Sequence, residues 1–267
     1  MSFRINSNLD ALQAYNALAK VNNASTKAQL RLASQKRINN VWDDTSGYRV
    51  GKELEGKVAV MKAAQGNIGS AKNVLATAES ALSNINDLLT QIKGKVADAS
   101  DPTKNLTSLS SDINALGNEI AAIFANTKFN DTALLSGSSM PAGGNFSFRT
   151  GESETTTISF GTLNNIDLSS ITGSSSTTIT TIDVSSIETT VRNSLSNIGN
   201  FVQRLEVKDD YLTSAITNAS SSISRLFDAD MALEQLNATK ALIGQQVATA
   251  MLAQLNSSPQ NLLALFQ

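Results

Sequence analysis

The chain has 267 residues, of which 41% are apolar but only 16% charged and 5% aromatic, against a usual charged share of about 25%. That composition supports one large or two modest domains built on aliphatic and Ala-rich packing, and further burial against copies of the same chain costs little desolvation of charge. A net charge of −2 with no basic block gives nucleic acid or an anionic membrane no electrostatic hold, and the absence of His and Cys removes imidazole and thiolate metal sites, Cys nucleophiles and His-based acid–base chemistry.

In chain order, Met1 to Leu12 lacks the basic stretch and apolar run of a signal peptide, so an exported chain needs a route that leaves the N-terminus intact. Residues 5–33 carry Ile5, Leu9, Leu12, Leu18, Leu30 and Leu32 among many Asn and Ala. From Leu54 a sevenfold series runs through Met61, Ile68, Leu75, Leu82, Leu89 and Val96, flanked by Ala64, Ala71, Ala78, Ile85 and Ile92. This is the seam of a long helix that wraps a partner, and it stops near Asp101-Pro102. Leu106, Ile113 and Ile120 with Leu109, Leu116 and Ile123 predict an antiparallel return helix ending around Asn126.

About Leu135 to Ile187, Ser, Thr and Gly dominate. The alternation in Phe146-Ser147-Phe148 and Thr157-Ile158-Ser159-Phe160 predicts a β-hairpin with loops, expected at the outer end of the helical rod. Its exposed hydroxyls fit glycosylation and ordinary surface loops equally well. Val191, Ile198, Leu205, Leu212, Ala219, Leu226 and Leu233 then read as one unbroken series, with Leu195, Val202, Ile216 and Ile223 beside it. Sixty or more helical residues extend roughly 90 Å, so the N- and C-terminal rods are natural partners and bring the chain ends together.

Residues 241–265 carry Leu242, Ile243, Val247, Met251, Leu252, Leu255, Leu262 and Leu265 and no charge, with Gln and Asn interruptions too polar for a membrane span. A helix with no charged outer face is one whose outer face is not solvated in its working state. The expectation is contact with other copies of the chain.

Asp43-Asp44 and Asp228/Asp230 are the candidate acidic sites. Without His, Cys or a calcium-type loop they read as acceptors of hydrogen bonds and ion pairs from Arg37, Arg225 or a neighbour's Lys, with no metal and no cofactor. The sole Trp, Trp42, could be a binding platform but reads rather as packed at a turn or in a contact between copies.

Several segments resemble the bacterial flagellin family. They are Ile5-Asn6-Ser7-Asn8-Leu9-Asp10-Ala11-Leu12, then Arg37-Ile38-Asn39-Asn40 with Asp43-Asp44 and Gly47, and Thr127-Lys128-Phe129-Asn130. On the C-terminal side they are Gln203-Arg204-Leu205-Glu206, Ser224 through Ala232, and Gln245 through Gln254 followed by Pro259-Gln260. The likeness covers about residues 1–135 and 187–267. Gln35, Lys36 and Trp42 depart from it, standing where the family more often has small residues.

The resemblance implies a mainly α fold of long antiparallel heptad helices with a small β-hairpin region, and no enzyme activity. It implies an N-terminal inner, channel-lining helix and spoke over 1–46, rod segments over 47–135 and 187–235, an outward-facing insert over 136–186 and a C-terminal inner helix over 236–267. The polymerisation interface is then expected at Ile5, Leu9, Leu12, Arg37, Asp43, Asp44, Arg225, Asp228, Asp230, Val247, Met251, Leu252, Leu255, Leu262 and Leu265. Implied partners are further copies of the chain, an export chaperone, and hook–filament junction and cap proteins, with no nucleic acid and no membrane insertion, and an extracellular place in the flagellum. The region that immune receptors recognise in some flagellins falls at Gln91, Lys95 and Glu119. Only Glu119 matches the usual residue, so weak detection is expected. The rival readings are a junction protein that caps without polymerising, and an enzyme on the insert, for which no catalytic cluster exists.

Overall fold

The computed structural model describes residues 9–135, 141, 144–160, 163 and 166–265, with side chains described as far as Ser257. Its main helices are α1 (Leu9–Ser34), α2 (Thr45–Asp98), α3 (Leu106–Asn126), α5 (Ser185–Phe227) and α6 (Met231–Leu265), with a single turn, α4 (Ser169–Thr172), in the insert. The chain divides into two compact units, residues 57–217 and residues 1–56 with 218–267.

In residues 57–217 the predicted seams form the core. Ile68, Leu75, Leu82, Leu89 and Ile92 of α2 are sealed from solvent with Ile113 and Ile120 of α3 and Val191, Ile198, Leu205 and Leu212 of α5. Burying each such side chain contributes about 1.5–3 kcal/mol. Polar pairs along the rim set α5 antiparallel to α2: Gln65 Nε2 donates to Thr213 Oγ1 at 2.9 Å, Lys72 meets Asp209 at 3.3 Å and Lys93 meets Glu188 at 3.1 Å. Lys93 and Arg192 hold the Glu188 carboxyl below its usual range, Lys93 through its hydrogen bond. The turn into α3 forms where expected, after Asp98, and the Asn105 side chain caps α3 by accepting the Ser108 N–H at 3.0 Å. After α3, β1 (Lys128–Phe129) and β2 (Thr132–Ala133) make a minimal hairpin over Asn130 and Asp131, whose φ values of 48° and 61° give the turn its left-handed pair.

The predicted hairpin exists as β3 (Asn145–Arg149) against β4 (Thr155–Ser159), Phe146 opposite Ile158. It lies along the bundle, where Asn67 donates to the Arg149 carbonyl at 3.1 Å and Glu154 pairs with Lys208 at 2.5 Å. Further on, Ser174 is strapped to α3 through Asn114 and Ser110, and Ile171 packs over Gly117, where a Cβ would come within 2.6 Å of it. The reason is apolar: Ile158, Phe160, Leu163, Ile171 and Ile179, scattered through a Ser/Thr-rich stretch, all join the helical core.

The C-terminal series is not continuous. α5 ends at Phe227 after 43 residues, about 65 Å, and Asp230 starts a new helix by accepting the N–H groups of Ala232 and Leu233 at 3.0 and 3.1 Å. Leu233, the last member of the expected row, falls beyond this break and is 54% exposed.

Candidate assembly surface

Residues 1–56 and 218–267 are organised around a joint where the two ends of the chain run side by side. The Arg37 N–H donates to the Phe227 carbonyl at 2.6 Å, the Ala229 N–H to Gln35 at 3.0 Å, and Lys36 bridges Asp228. Phe227 is buried against the edge of Tyr48 at 6.2 Å, with the Lys36 ammonium 5.7 Å from its ring centre. The ring occupies the space over Gly51, where a Cβ would stand 2.0 Å from it. Any larger residue at position 51 must displace it.

Within the joint, Asp43 builds a tight turn. Its carboxylate accepts the N–H groups of Asn39 and Asn40, both at 3.2 Å, and pairs with Lys27 of α1 at 2.6 Å. The Lys27 hydrogen bond, aided by the two amides, holds the Asp43 carboxyl below its ordinary range. The turn leaves Val41 and Trp42 projecting, Trp42 at 80% exposure. So Trp42 does not pack within its own chain, which leaves a contact between copies or a binding platform. Asp44 caps α2, accepting the Gly47 N–H at 2.8 Å.

Below the joint, α1 packs antiparallel on α6. The Arg31–Glu234 ion pair at 2.9 Å and Val21 against Gly244 place position 31 with 234 and position 21 with 244. The side chains turned inward recur at heptad spacing: Ala11, Ala14, Leu18, Val21, Ser25 and Ala28 on α1, and Glu234, Ala238, Ala241, Gln245, Ala248, Leu252 and Leu255 on α6. Most are small. Most of the large apolar side chains stand outside this seam: Leu9, Leu12, Tyr15 and Leu30 on α1, and Met231, Leu233, Leu236, Leu242, Ile243, Val247 and Met251 on α6, between 41% and 64% exposed. An ordinary soluble helix pair has the reverse arrangement.

Of the expected interface residues, Leu9, Leu12, Val247 and Met251 lie on this outward surface, while Leu252 and Leu255 are half-buried in the seam. Ile5 lies outside the described residues, as do the side chains of Leu262 and Leu265. Among the described residues, none of Asp43, Asp44, Asp228 and Asp230 pairs with Arg37 or Arg225, contrary to expectation. Arg37 donates to the Leu226 carbonyl at 3.0 Å, and Asp228 accepts the Ser224 hydroxyl. The carboxylates serve as caps and turn builders because exposed backbone N–H groups at helix starts lie nearest to them.

Sequence reasoning missed Arg31 and Glu234, and it missed Tyr15, Met231 and Leu236 on the outward rows. The small-residue heptads of α1 and α6 were the signal available. Gln91 and Lys95 lie one turn apart on α2 and Glu119 on α3; Lys95 is tied to Asp112 at 2.7 Å, whereas Gln91 and Glu119 are exposed. Among the described residues no acidic cluster could hold a metal ion, and no helix is long and apolar enough to cross a membrane.

Paired ends with an unsatisfied apolar surface define a class: a helical subunit that associates with copies of itself through contacts that propagate. The family model of the bacterial flagellin N-terminal helical region matches residues 5–140, and that of the C-terminal helical region matches residues 180–266. The chain is also similar to the flagellin of Bacillus subtilis strain 168, 29% identical over 305 residues and spanning 99% of this chain and 100% of the relative. It is similar to the flagellin of Listeria monocytogenes, 28% identical over 286 residues (97% and 98% of the two chains), and to that of Halalkalibacterium halodurans, 29% identical over 275 residues (98% and 99%). The chain belongs to the bacterial flagellin family. It is a structural subunit of the flagellar filament, a homopolymer, and not an enzyme.

Proposed function

We propose that the chain polymerises by docking its terminal helix pair onto other copies, with the outward apolar rows of α1 and α6 as the adhesive surface and Ile5, Leu262 and Leu265 as further members of the interface. One observation carries this reading: most seam positions hold small residues while most of the large apolar ones face outward. The joint residues Arg37, Asp43, Asp44, Arg225, Asp228 and Asp230 shape the loops from which Val41 and Trp42 project, and so belong to the same interface.

In this reading residues 1–46 and 236–267 form the inner, channel-lining layer, 47–135 and 187–235 the surrounding rod, and 136–186 the outer surface. The terminal segments gain full order on docking, when apolar burial at about 25 cal/mol per Å² offsets the ordering entropy. Export proceeds through the flagellar secretion channel with a chaperone on the C-terminal helix, and polymerisation takes place between a junction and a cap protein. Gln91 and Lys95 leave immune receptors a poor match, so purified monomer activates them weakly.

The test is electron microscopy of purified monomer added to short filament seeds. Seeds that lengthen support the reading. Seeds that keep their length, with the 57–217 unit folded, point to a junction protein instead.

A further inference from the structure

Among the described residues of the 57–217 unit, only two large apolar side chains are exposed, Val207 and Tyr211, each at 69%. They lie one turn apart on α5 and form a single patch. At its end Asn200, Gln203, Arg204 and Lys208 join Val207 around a shallow groove.

The charges beside the patch divide by sign. Its cations are engaged: Lys208 pairs with Glu154 at 2.5 Å, and the Arg204 guanidinium lies 5.5 Å from the centre of the Phe201 ring. Its carboxylates are free. Glu206 and Asp210, adjacent to Val207 and Tyr211 and exposed like them, have no ion pair among the described residues.

The joint shows the reverse. Asp43 is held by Lys27, Asp44 and Asp230 by helix-start N–H groups, and Asp228 by the Ser224 hydroxyl. Lys36, Arg37, Arg49 and Arg225 are exposed, and none pairs with a carboxylate among the described residues. From the same joint Val41 and Trp42 project at 52% and 80% exposure. An apolar projection with free cations complements an apolar patch with free carboxylates. Trp and Tyr are also side chains that anchor interfaces most strongly, while the surrounding charges steer and align them. In a homopolymer every copy offers both surfaces, so a head-to-tail contact leaves one of each open for the next copy.

We propose that Val41 and Trp42 of one copy dock on the Val207–Tyr211 face of α5 in a second copy, with the free cations of the joint facing Glu206 and Asp210. This inference deepens the assembly reading above and rests on it. The contact forms in the filament, where that reading has the terminal segments fully ordered.

The chain has no Cys and one Trp, so both sides of the contact can be followed. Two single-cysteine chains, Val41→Cys and Val207→Cys, are expressed together, and filaments sheared from the cells are oxidised with copper phenanthroline. Peptide mass spectrometry then detects a disulfide between positions 41 and 207, which in this mixture can join only different copies. The link is expected in mixed filaments. In parallel, wild type and V207D/Y211A are added to filament seeds. Both changes lie on an exposed face and leave the bundle folded. Trp42 emission moves to the blue when wild type assembles. In V207D/Y211A that shift is lost, and the critical concentration rises about tenfold or more.

Mixed filaments without the 41–207 link overturn the contact. So does a Trp42 shift equal in V207D/Y211A and wild-type filaments. A third chain, Ile243→Cys, tests the outward row of α6 as the occupant, and a 207–243 link in place of 41–207 also overturns the contact. Wild-type monomer that fails to extend wild-type seeds refutes the assembly reading instead, and the link in filaments taken from cells still decides the contact.

Discussion

The 57–217 bundle and the terminal helix pair are both written in heptads, yet they use the repeat in opposite ways. In the bundle Leu, Ile and Val occupy the seam and polar residues the outside, so the unit is satisfied within one chain. In the pair mostly Ala and Ser, beside Leu18, Val21, Leu252 and Leu255, occupy the seam and most of the Leu, Ile, Met and Tyr the outside, so much apolar surface is left uncovered by its own chain. The difference lies in side-chain size at the same spacing, and it separates a fold from an assembly surface. A repeat of small residues brings two helices close while leaving their large apolar side chains exposed.

The sharpest way to break this contrast is to truncate one seam of each kind. Leu82→Ala, at a site with no solvent exposure, should destabilise the bundle by about 2–5 kcal/mol in denaturant unfolding. Ile243→Ala on the outward face of α6 should move monomer stability by no more than about 0.5 kcal/mol, yet it should slow seeded elongation. Equal effects of the two changes on monomer unfolding would erase the distinction.

The surface itself is probed by Met251→Asp. It forfeits the roughly 1.5–3 kcal/mol of burying that side chain on docking. The critical concentration for filament growth should rise at least by the corresponding factor, while helix content stays at the wild-type level. Gly51→Ala addresses the joint. Its Cβ collides with the buried Phe227 ring, a strain of about 1–3 kcal/mol that should appear as faster amide exchange in residues 35–50 and 224–230, with the bundle unchanged. Removing a cap is milder: Asp230→Ala should cost about 1 kcal/mol through fraying at the start of α6, read by exchange at Ala232 and Leu233.

The smallest effect is a pH dependence. Asp43 has its folded carboxyl held below the ordinary value by Lys27, so its contribution is fully present above the unfolded carboxylate range and is lost as pH falls through the lowered folded value. The stability gap between wild type and Asp43→Asn should therefore be constant near neutrality and close only in acid below about pH 3.9. A gap that closes near neutral pH would contradict the Asp43–Lys27 pairing.

Much of this was legible beforehand. The rows through Leu75 and Leu205 could be read because large apolar residues at a fixed spacing have one physical use in a helix, burial. For residues 241–265 the sequence offered only a lack, no charged residue to solvate an outer face, without saying which face turns outward. The α5–α6 break was missed because Leu226 and Leu233 keep the sevenfold spacing across Asp228-Ala229-Asp230, and spacing alone does not register a cap. The ion partners of Asp43, Asp44, Asp228 and Asp230 were misjudged because Arg37 and Arg225 are near in sequence, whereas Lys27 and the helix-start amides are near in space.

By itself, then, the sequence determined a mainly α chain, its long helices and their seams, and membership in a family through motifs at both ends. These are local or periodic properties that any window of the chain carries. Tertiary structure alone decided the rest: that the insert lies along the bundle, that Gly51 makes room for Phe227, that Arg31 meets Glu234, and which face of α1 and α6 turns inward. Each depends on two segments remote in sequence sharing one space, where the size and charge of the partner, absent from any single stretch of residues, select the arrangement.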